Sequence, residues 1–283
     1  MLGRRQPQGR YYGGTGDPYS RQGRGGGTSR FKIFLILGLG MAAFQAFKYF
    51  TNTQLNTLTG ENQRIQWTPE EEVKLGLQSA PQMAQQHGGL HADQRAQDFV
   101  DQVGQRLVTG TIAEESAYPY DFHLLADEQA VNAFALPGGQ CFITAALFNQ
   151  LTTEDQLAGI MGHEIGHVIE RHGGERMAKS SFIQGLIQSV LIGSGGDASM
   201  SQIANLVGNY ASMKYGRDQE LESDDWGVRL MIEAGYDPYK LIEVMDILEK
   251  ASGGSKGPEF QSTHPSPENR REQIKASIEK YSK

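Results

Sequence analysis

Two histidines stand one helical turn apart inside an apolar segment, and this arrangement constrains the chain more than any other feature. His163 and His167 occur in the run LAGIMGHEIGHVI, in which Glu164 is the only other polar side chain. The threonines and acids that precede the run predict a helix that begins near Thr153. Apolar flanks on both sides indicate that this helix is buried, and buried imidazoles need polar partners.

The spacing of these histidines predicts a metal site. Side chains at positions i and i+4 project from the same helix face, so the two imidazoles can bind one ion. Glu164 follows the first histidine, where its carboxylate can take a proton from a water at the metal. A surface helix that carries the three residues by chance is the alternative, and the apolar flanks argue against it.

A catalytic zinc site needs a third protein ligand and an open position for water. The segment GRDQELESDD offers Glu220 and Asp224 on one face of a helix that we predict over Arg217–Ala234. We expect Glu220 to bind the metal and Asp224 to accept the N–H of a ligating imidazole. Glu222 is expected to face solvent. Without the histidine pair, a charged outer face would be the better interpretation of this acidic stretch.

The remaining periodicity predicts an α+β, mainly helical domain. Residues from Thr68 to about Val108 are helical in pattern, and the runs PYDFHLLAD and NAFALPGGQCFITAAL are typical of strands. The helix with the two histidines is expected to end at His172, before Gly173 and Gly174, and we assign His172 a structural role there. Further helices are predicted over Arg176–Ile192, over Gln202–Lys214, and from Pro238 to about Lys250.

The N-terminal part of the chain differs in composition from the rest. Residues 1–30 are rich in Gly, Arg, Tyr and Ser, which predicts a disordered basic tail. Residues 31–50 are apolar except for two lysines and one glutamine, which favours a single transmembrane anchor over a cleaved signal peptide. We interpret residues 51–66 as a linker and residues 67–283 as the domain that holds the predicted metal site. A second apolar run, residues 181–193, holds two glutamines and is expected to be a packed helix.

The distribution of charge indicates a membrane protein and argues against nucleic-acid binding. Residues 1–50 carry eight Lys or Arg and one acid, whereas the whole chain has a net charge of −7. The large domain is therefore acidic and repels phosphate. The basic leader is expected to stay in the bacterial cytoplasm, with the domain on the periplasmic side of the inner membrane. A mitochondrial inner-membrane protein is the alternative. The lone Cys141 excludes a disulfide framework.

Four segments, in this order, carry a resemblance to a known class. They are NAFALPGG (132–139), LTTEDQLAGIMGHEIGHVIERH (151–172), YGRDQELESDDWG (215–227) and THPSPENRR (263–271). The chain resembles the membrane-associated HExxH zinc metallopeptidases of the HtpX, BepA, LoiP and CAAX prenyl endopeptidase type, which are gluzincin-like. Gly216 and Ser223 stand where that class usually has Ser and Ala. The resemblance implies a zincin-type fold with a small sheet and an edge strand, and one Zn²⁺ per chain.

The resemblance also implies roles for individual residues. Glu164 would be the general base, and Arg270 would support the site. His264 would either stabilise the oxyanion or occupy the open position of the metal, with a surface loop as the alternative. The substrate would add to an edge strand formed by Asn132, Ala133, Phe134 and Ala135.

The function expected on this basis is hydrolysis of peptide bonds in unfolded or misassembled proteins of the envelope or membrane. The alternative is a metal-binding chaperone or scaffold of the same fold without turnover. The intact Glu164 argues against that alternative, because a scaffold needs no base.

Overall fold

The computed structural model describes residues 27–116, 118–194, 215–251, 259–265 and 269–283. The helices are α1 (Gly27–Thr51), α2 (Pro69–Gln86), α3 (Gln94–Val108), α4 (Ala145–Phe148), α5 (Glu154–Ile169), α6 (His172–Gly193), α7 (Arg217–Glu233), α8 (Lys240–Ala251), α9 (Glu259–Thr263) and α10 (Arg270–Tyr281). The strands are β1 (Gln54–Leu55), β2 (Asn62–Gln63), β3 (Asp121–Leu125), β4 (Ala133–Leu136) and β5 (Gln140–Thr144). The expectation of a mainly helical α+β fold is confirmed. Residues 1–26 of the predicted tail and the predicted helix Gln202–Lys214 lie outside the described residues.

The boundaries at the N-terminal side differ from those predicted. Helix α1 begins at Gly27, within the segment predicted to be disordered, and the predicted linker contains the antiparallel pair β1–β2. The segment between Thr68 and Val108 is helical, as expected. It is two helices, because His87 ends α2 and Asp93 caps α3 by accepting backbone N–H groups.

The three-stranded sheet has the order β3–β5–β4, so β4 lies at one edge. Strands β3 and β5 are parallel, whereas β4 pairs with β5 in antiparallel register. The turn between β4 and β5 uses Gly138 and Gly139, whose φ angles of +88° and +101° suit glycine. An edge strand over Ala133–Ala135 is therefore present as expected, and it packs against α5.

The junction between α5 and α6 corrects a second prediction. The helix does not continue to His172, and the glycines that follow lie inside α6. The break occurs at Arg171, which is the one non-glycine residue with positive φ (55°) in the described part of the chain. The buried Arg171 guanidinium donates to Glu72 Oε2 at 2.9 Å and to the Trp67 carbonyl at 2.7 Å. These bonds hold a strained backbone position that redirects the chain into α6.

Helices α5 and α7 lie against each other at the centre of the domain. Their backbones approach closely, because a Cβ at Gly166 would lie 2.7 Å from the carbonyl oxygen of Ser223. Gly162 and Gly227 form a second close contact one turn away. This approach brings the histidine face of α5 next to the acidic face of α7.

Candidate metal centre

Four side chains from three parts of the chain converge at one point in the core. His163, His167, Glu220 and His264 are all buried, and their donor atoms lie within 4.8 Å of one another. The two α5 imidazoles have Nε2 atoms 3.1 Å apart, and each lies 3.2–3.3 Å from Nδ1 of His264. Glu220 Oε1 is 3.1 Å from the same Nδ1 and 3.5 Å from His167 Nε2.

These separations fit a single tetrahedral metal ion. Ligands at about 2.0–2.1 Å from zinc are separated by about 3.3 Å from one another in tetrahedral geometry. Nitrogen lone pairs that face each other cannot all be satisfied by hydrogen bonds, and Glu220 Oε2 and His264 Nε2 have no hydrogen-bond partner. A donor set of imidazoles and one carboxylate is the set that zinc prefers. The residues therefore fit the metal.

The ring of His163 is oriented by the Asp224–Arg270 ion pair, which lies on the Nδ1 side of the ring. Its Nδ1–H donates to Asp224 Oδ1 at 2.9 Å, which leaves Nε2 free to face the centre. Arg270 in turn donates to both oxygens of Asp224, at 2.7 and 2.9 Å. Burial alone would raise the pKa of Asp224, but the Arg270 guanidinium lowers it and keeps the carboxylate ionised.

The ring of His167 is oriented by a different chain of side chains. Its Nδ1–H donates to Nδ1 of His172 at 2.9 Å, and His172 Nε2–H donates to Glu222 Oε2 at 3.0 Å. Tyr215 stacks on His167 with ring centroids 4.0 Å apart. His172 is buried at the start of α6 and contacts His167, a candidate ligand. Its role is therefore not limited to the predicted one at the end of a helix. Glu222 is exposed, as expected, and it also accepts the hydrogen bond from His172.

The protonation states of His167 and Glu220 suit metal binding. Burial holds the pKa of His167 well below its ordinary value, so the imidazole is neutral. Burial alone would raise the pKa of Glu220, but the adjacent imidazoles of His264 and His167 hold it well below its ordinary value. A neutral imidazole and an ionised carboxylate are the forms that bind a cation.

Glu164 lies beside the donor atoms without joining them. It is fully buried, and neither of its carboxylate oxygens has a hydrogen-bond partner. His264 of the cluster approaches it, with Nε2 3.8 Å from Oε1. Burial raises the pKa of Glu164 above its ordinary value, which increases the affinity of this carboxylate for a proton.

The edge strand runs beside the same centre. A cavity next to the metal site is lined by Ala135 and Leu136 of β4, by His167 and by Tyr215. Asn132 precedes the strand and is buried, and its Oδ1 has no hydrogen-bond partner. Three of the four predicted substrate-binding residues, Ala133, Phe134 and Ala135, therefore lie on the strand that borders the candidate site, and Asn132 lies directly before it.

Sequence reasoning missed three residues of this region. Arg171 and His172 are local to α5, yet their roles depend on the break at Arg171, for which helical periodicity carries no signal. Tyr215 is adjacent in sequence to the acidic helix, and only its stacking on His167 indicates a role.

Comparison with known proteins identifies the class of this domain. Residues 94–278 match the family model described as Peptidase family M48. The chain is 31% identical over 184 residues to the beta-barrel assembly-enhancing protease of Escherichia coli, covering 61% of this chain and 37% of that protein. It is 33% identical over 144 residues to the mitochondrial metalloendopeptidase OMA1 of Arabidopsis thaliana, covering 50% of this chain and 28% of that protein.

The OMA1 metalloendopeptidase of Saccharomyces cerevisiae is a third relative, 31% identical over 152 residues, which cover 52% of this chain and 43% of that protein. The chain thus spans less than half the length of each of these relatives. The family match, however, covers well over half of this chain and includes every residue of the cluster. The resemblance to membrane-associated HExxH metallopeptidases is confirmed, and the chain belongs to peptidase family M48.

Proposed function

We propose that this protein is a membrane-anchored zinc endopeptidase that hydrolyses peptide bonds in unfolded or misassembled proteins of its membrane or envelope. One observation carries the proposal. A buried set of metal-binding atoms lies next to Glu164, a buried carboxylate whose two oxygens have no hydrogen-bond partner. An unpaired buried carboxylate destabilises a fold, and its retention is typical of a catalytic group.

Three side chains would hold the metal: His163 and His167 from α5 and Glu220 from α7. Zinc bound there would supply Lewis acidity toward the substrate carbonyl and toward an attacking water. Asp224, through His163, and His172, through His167, would keep the two imidazoles in the tautomer that presents Nε2 to the ion.

Glu164 would act as the general base. Its buried carboxylate has a raised pKa, so it can take a proton from the attacking water and deliver it to the leaving amine. No other acid of the cluster is as well suited, because Glu220 is held ionised by its imidazole neighbours and Asp224 is paired with Arg270.

The substrate would bind as an extended segment along β4. An edge strand offers backbone N–H and C=O groups to a peptide, and this strand borders the cavity beside His167. The names of two relatives refer to assembly of β-barrels and to mitochondria, so proteins of a membrane or envelope are the substrate class that we favour for this chain.

Helix α1 would be the anchor. Its segment Lys32–Thr51 has a mean hydropathy of 1.6 and is long enough to span a bilayer. We favour a bacterial inner membrane with the domain on the periplasmic side. The mitochondrial inner membrane is the alternative, since the relatives include proteins of both origins.

A metal-binding chaperone or scaffold is the second candidate, and His264 is the observation that favours it. Its Nδ1 lies among the other donor atoms, so this imidazole can act as a fourth protein ligand. A site closed by four protein ligands is typical of structural zinc, whereas catalytic sites keep one position open.

Casein cleavage by the full-length protein in detergent tests both candidates. Glu164→Gln should lower turnover by about 10²–10⁴-fold while zinc content is unchanged, because general base catalysis is lost and the ligands remain. Glu243→Gln, which changes a half-exposed glutamate on α8 outside the cluster, is the matched control and should leave turnover unchanged. A chelator should abolish cleavage and added zinc should restore it. A zinc-loaded parent protein without measurable cleavage would favour the scaffold instead.

A further inference from the structure

Helix α6 carries the apolar run that is predicted to be a packed helix, and it packs against α1. The two helices run antiparallel. Phe182 stacks on Tyr49 with ring centroids 4.5 Å apart, and Gly185 lies against the side chain of Gln45. Farther along α6, Ser189 and Gly193 lie against Gly38. Contacts at the two ends of the pair therefore cover most of the candidate span Lys32–Thr51.

The backbones of the two helices approach most closely at small residues. A Cβ at Gly38 would lie 2.6 Å from the Ser189 carbonyl oxygen and 2.8 Å from Gly193 Cα. Gly185, Ser189 and Gly193 recur every four residues, which is the spacing that brings helices together inside membranes. The polar Gln45 is partly covered by α6. A polar side chain in a membrane span is usually turned toward a partner helix in this way.

The outer surface of the pair is apolar on α1 and uncharged on α6. Leu39, Phe44 and Phe47 of α1 are 62–67% exposed, and Val190 of α6 is 46% exposed. No charged residue occurs between Ser180 and Gly196. Gln184 and Gln188 are exposed on α6, but amide side chains cost far less in a bilayer than charges do. An exposed apolar surface without charge is suited to lipid and not to water.

An aromatic cluster marks where the pair leaves this apolar zone. Tyr49, Phe50 and Phe182 contact one another, and the Arg64 guanidinium lies 5.8 and 5.5 Å from the rings of Tyr49 and Phe50. Aromatic rings with adjacent basic groups are typical of the membrane–water interface. From Phe182 back to His172, α6 rises about 15 Å, and His172 contacts a candidate metal ligand.

We propose that residues 182–193 of α6 lie in the lipid bilayer alongside α1, so that the membrane anchor is a pair of helices. The partner that this surface fits is the hydrocarbon of the membrane. If α1 spans the bilayer, the part of α6 that packs against it must lie in the bilayer as well. The rigid first part of α6 then holds the metal centre about 15 Å above the interface, close to polypeptides that emerge from the membrane. Immersion of α6 rests on the proposed anchor α1, and the position of the metal centre rests in addition on the proposed peptidase function.

Cysteine labelling in nanodiscs of phosphatidylethanolamine and phosphatidylglycerol, with one full-length chain per disc, tests the proposal. Cys141→Ala removes the native thiol, and single cysteines are placed at Val190 on α6, Leu39 on α1, and Leu77 on α2. Leu77 is a matched control because it is an apolar residue of the soluble domain with 53% exposure. A membrane-impermeant maleimide should label Leu77→Cys at least about tenfold faster than the other two variants. All three should react fully after denaturation.

Each other outcome is informative. If Val190→Cys reacts as fast as Leu77→Cys while Leu39→Cys is protected, α6 lies outside the bilayer and the inference is wrong. If Leu39→Cys reacts fast as well, the proposed anchor also fails. Protection of Val190→Cys only in discs that hold two chains would assign this surface to a second copy, contrary to the proposal. Ile187→Cys repeats the measurement should Val190→Cys fold poorly. None of these measurements depends on peptidase activity, which the casein assay tests separately.

Discussion

The pairs α5–α7 and α1–α6 both bring two helix backbones together at residues without large side chains. In α5–α7, Gly166 meets Ser223, and a Cβ at the glycine would lie 2.7 Å from backbone. In α1–α6, Gly38 meets Ser189, and the corresponding distance is 2.6 Å. The side chains that flank these contacts are opposite in character. Those of α5–α7 are ionisable and buried, whereas those of α1–α6 are apolar and exposed.

This difference shows that close helix packing does not determine what a helix pair can do. Near α5–α7, the ionisable groups are enclosed, so they must be paired or bind a cation. Around α1–α6, the apolar groups have only each other and the surroundings, so they need lipid or another apolar surface. Four predictions, each with its own substitutions, test this comparison.

The largest effect is expected for Asp224→Ala in the α5–α7 region. This change leaves the buried Arg270 without its main partner and His163 without its acceptor. Breaking a buried ion pair costs about 3–5 kcal/mol of unfolding free energy, and losing such a partner of a ligand lowers metal affinity by about 10–100-fold. Chemical denaturation and zinc titration measure the two effects. Asp225→Ala, one residue farther along α7, should leave zinc affinity unchanged, since Asp225 contacts Ser277 and Lys280 instead.

The next largest effect is expected for Gly166→Ala, also in the α5–α7 region. The new Cβ would press on the Ser223 backbone and push α7 away from α5, which moves Glu220 from the donor cluster. Overpacking of this kind costs about 1–3 kcal/mol. Gly159→Ala is the control on the same helix, because its Cβ would make a tight contact of 3.3 Å with Leu241 of α8 and leave α7 in place. Equal zinc affinity in the two variants would mean that the α5–α7 distance does not position the ligands.

The substitution His264→Ala tests whether a residue outside both helix pairs blocks the open position of the metal centre. Its Nδ1 lies 3.1–3.3 Å from donor atoms of three other residues, so we expect it to block the open position at rest. Removing it should raise casein cleavage by about tenfold, which corresponds to about 1.4 kcal/mol. A fall of about 10²–10³-fold with unchanged zinc content would instead assign it to stabilisation of the oxyanion.

The smallest effects are expected for two glycines of α1. Gly38→Ala should weaken the α1–α6 pair by about 1 kcal/mol, because its Cβ would overlap the α6 backbone. Gly40→Ala should be neutral or stabilise α1 by about 0.5 kcal/mol, since nothing lies within 4 Å of its Cβ. Proteolysis in detergent at sites within α6 measures the difference. Zinc affinity should be the same in both variants, and a loss in Gly38→Ala alone would show that the two helix pairs are coupled.

Local sequence determined much of the metal-binding helices. The pairs His163–His167 and Glu220–Asp224 are each spaced by four residues, and helical geometry alone places each pair on one face. Apolar flanks indicate burial, and burial requires partners for polar groups. The helix, its candidate ligands and its candidate base could therefore be proposed without knowledge of the fold. The edge strand was predicted through the resemblance and its turn glycines.

Tertiary structure decided what local periodicity does not encode. His264 is 97 residues from His167 in sequence, and only packing brings the two rings together. His172 reaches His167 because Arg171 adopts a left-handed conformation, held by Glu72 from a distant helix. The sequence of the apolar half of α6 is compatible with any buried helix, and only the structure shows that it packs against α1. In each case the outcome depends on which distant segments meet, and that is set by the free energy of packing the whole domain and not by the propensity of any one segment.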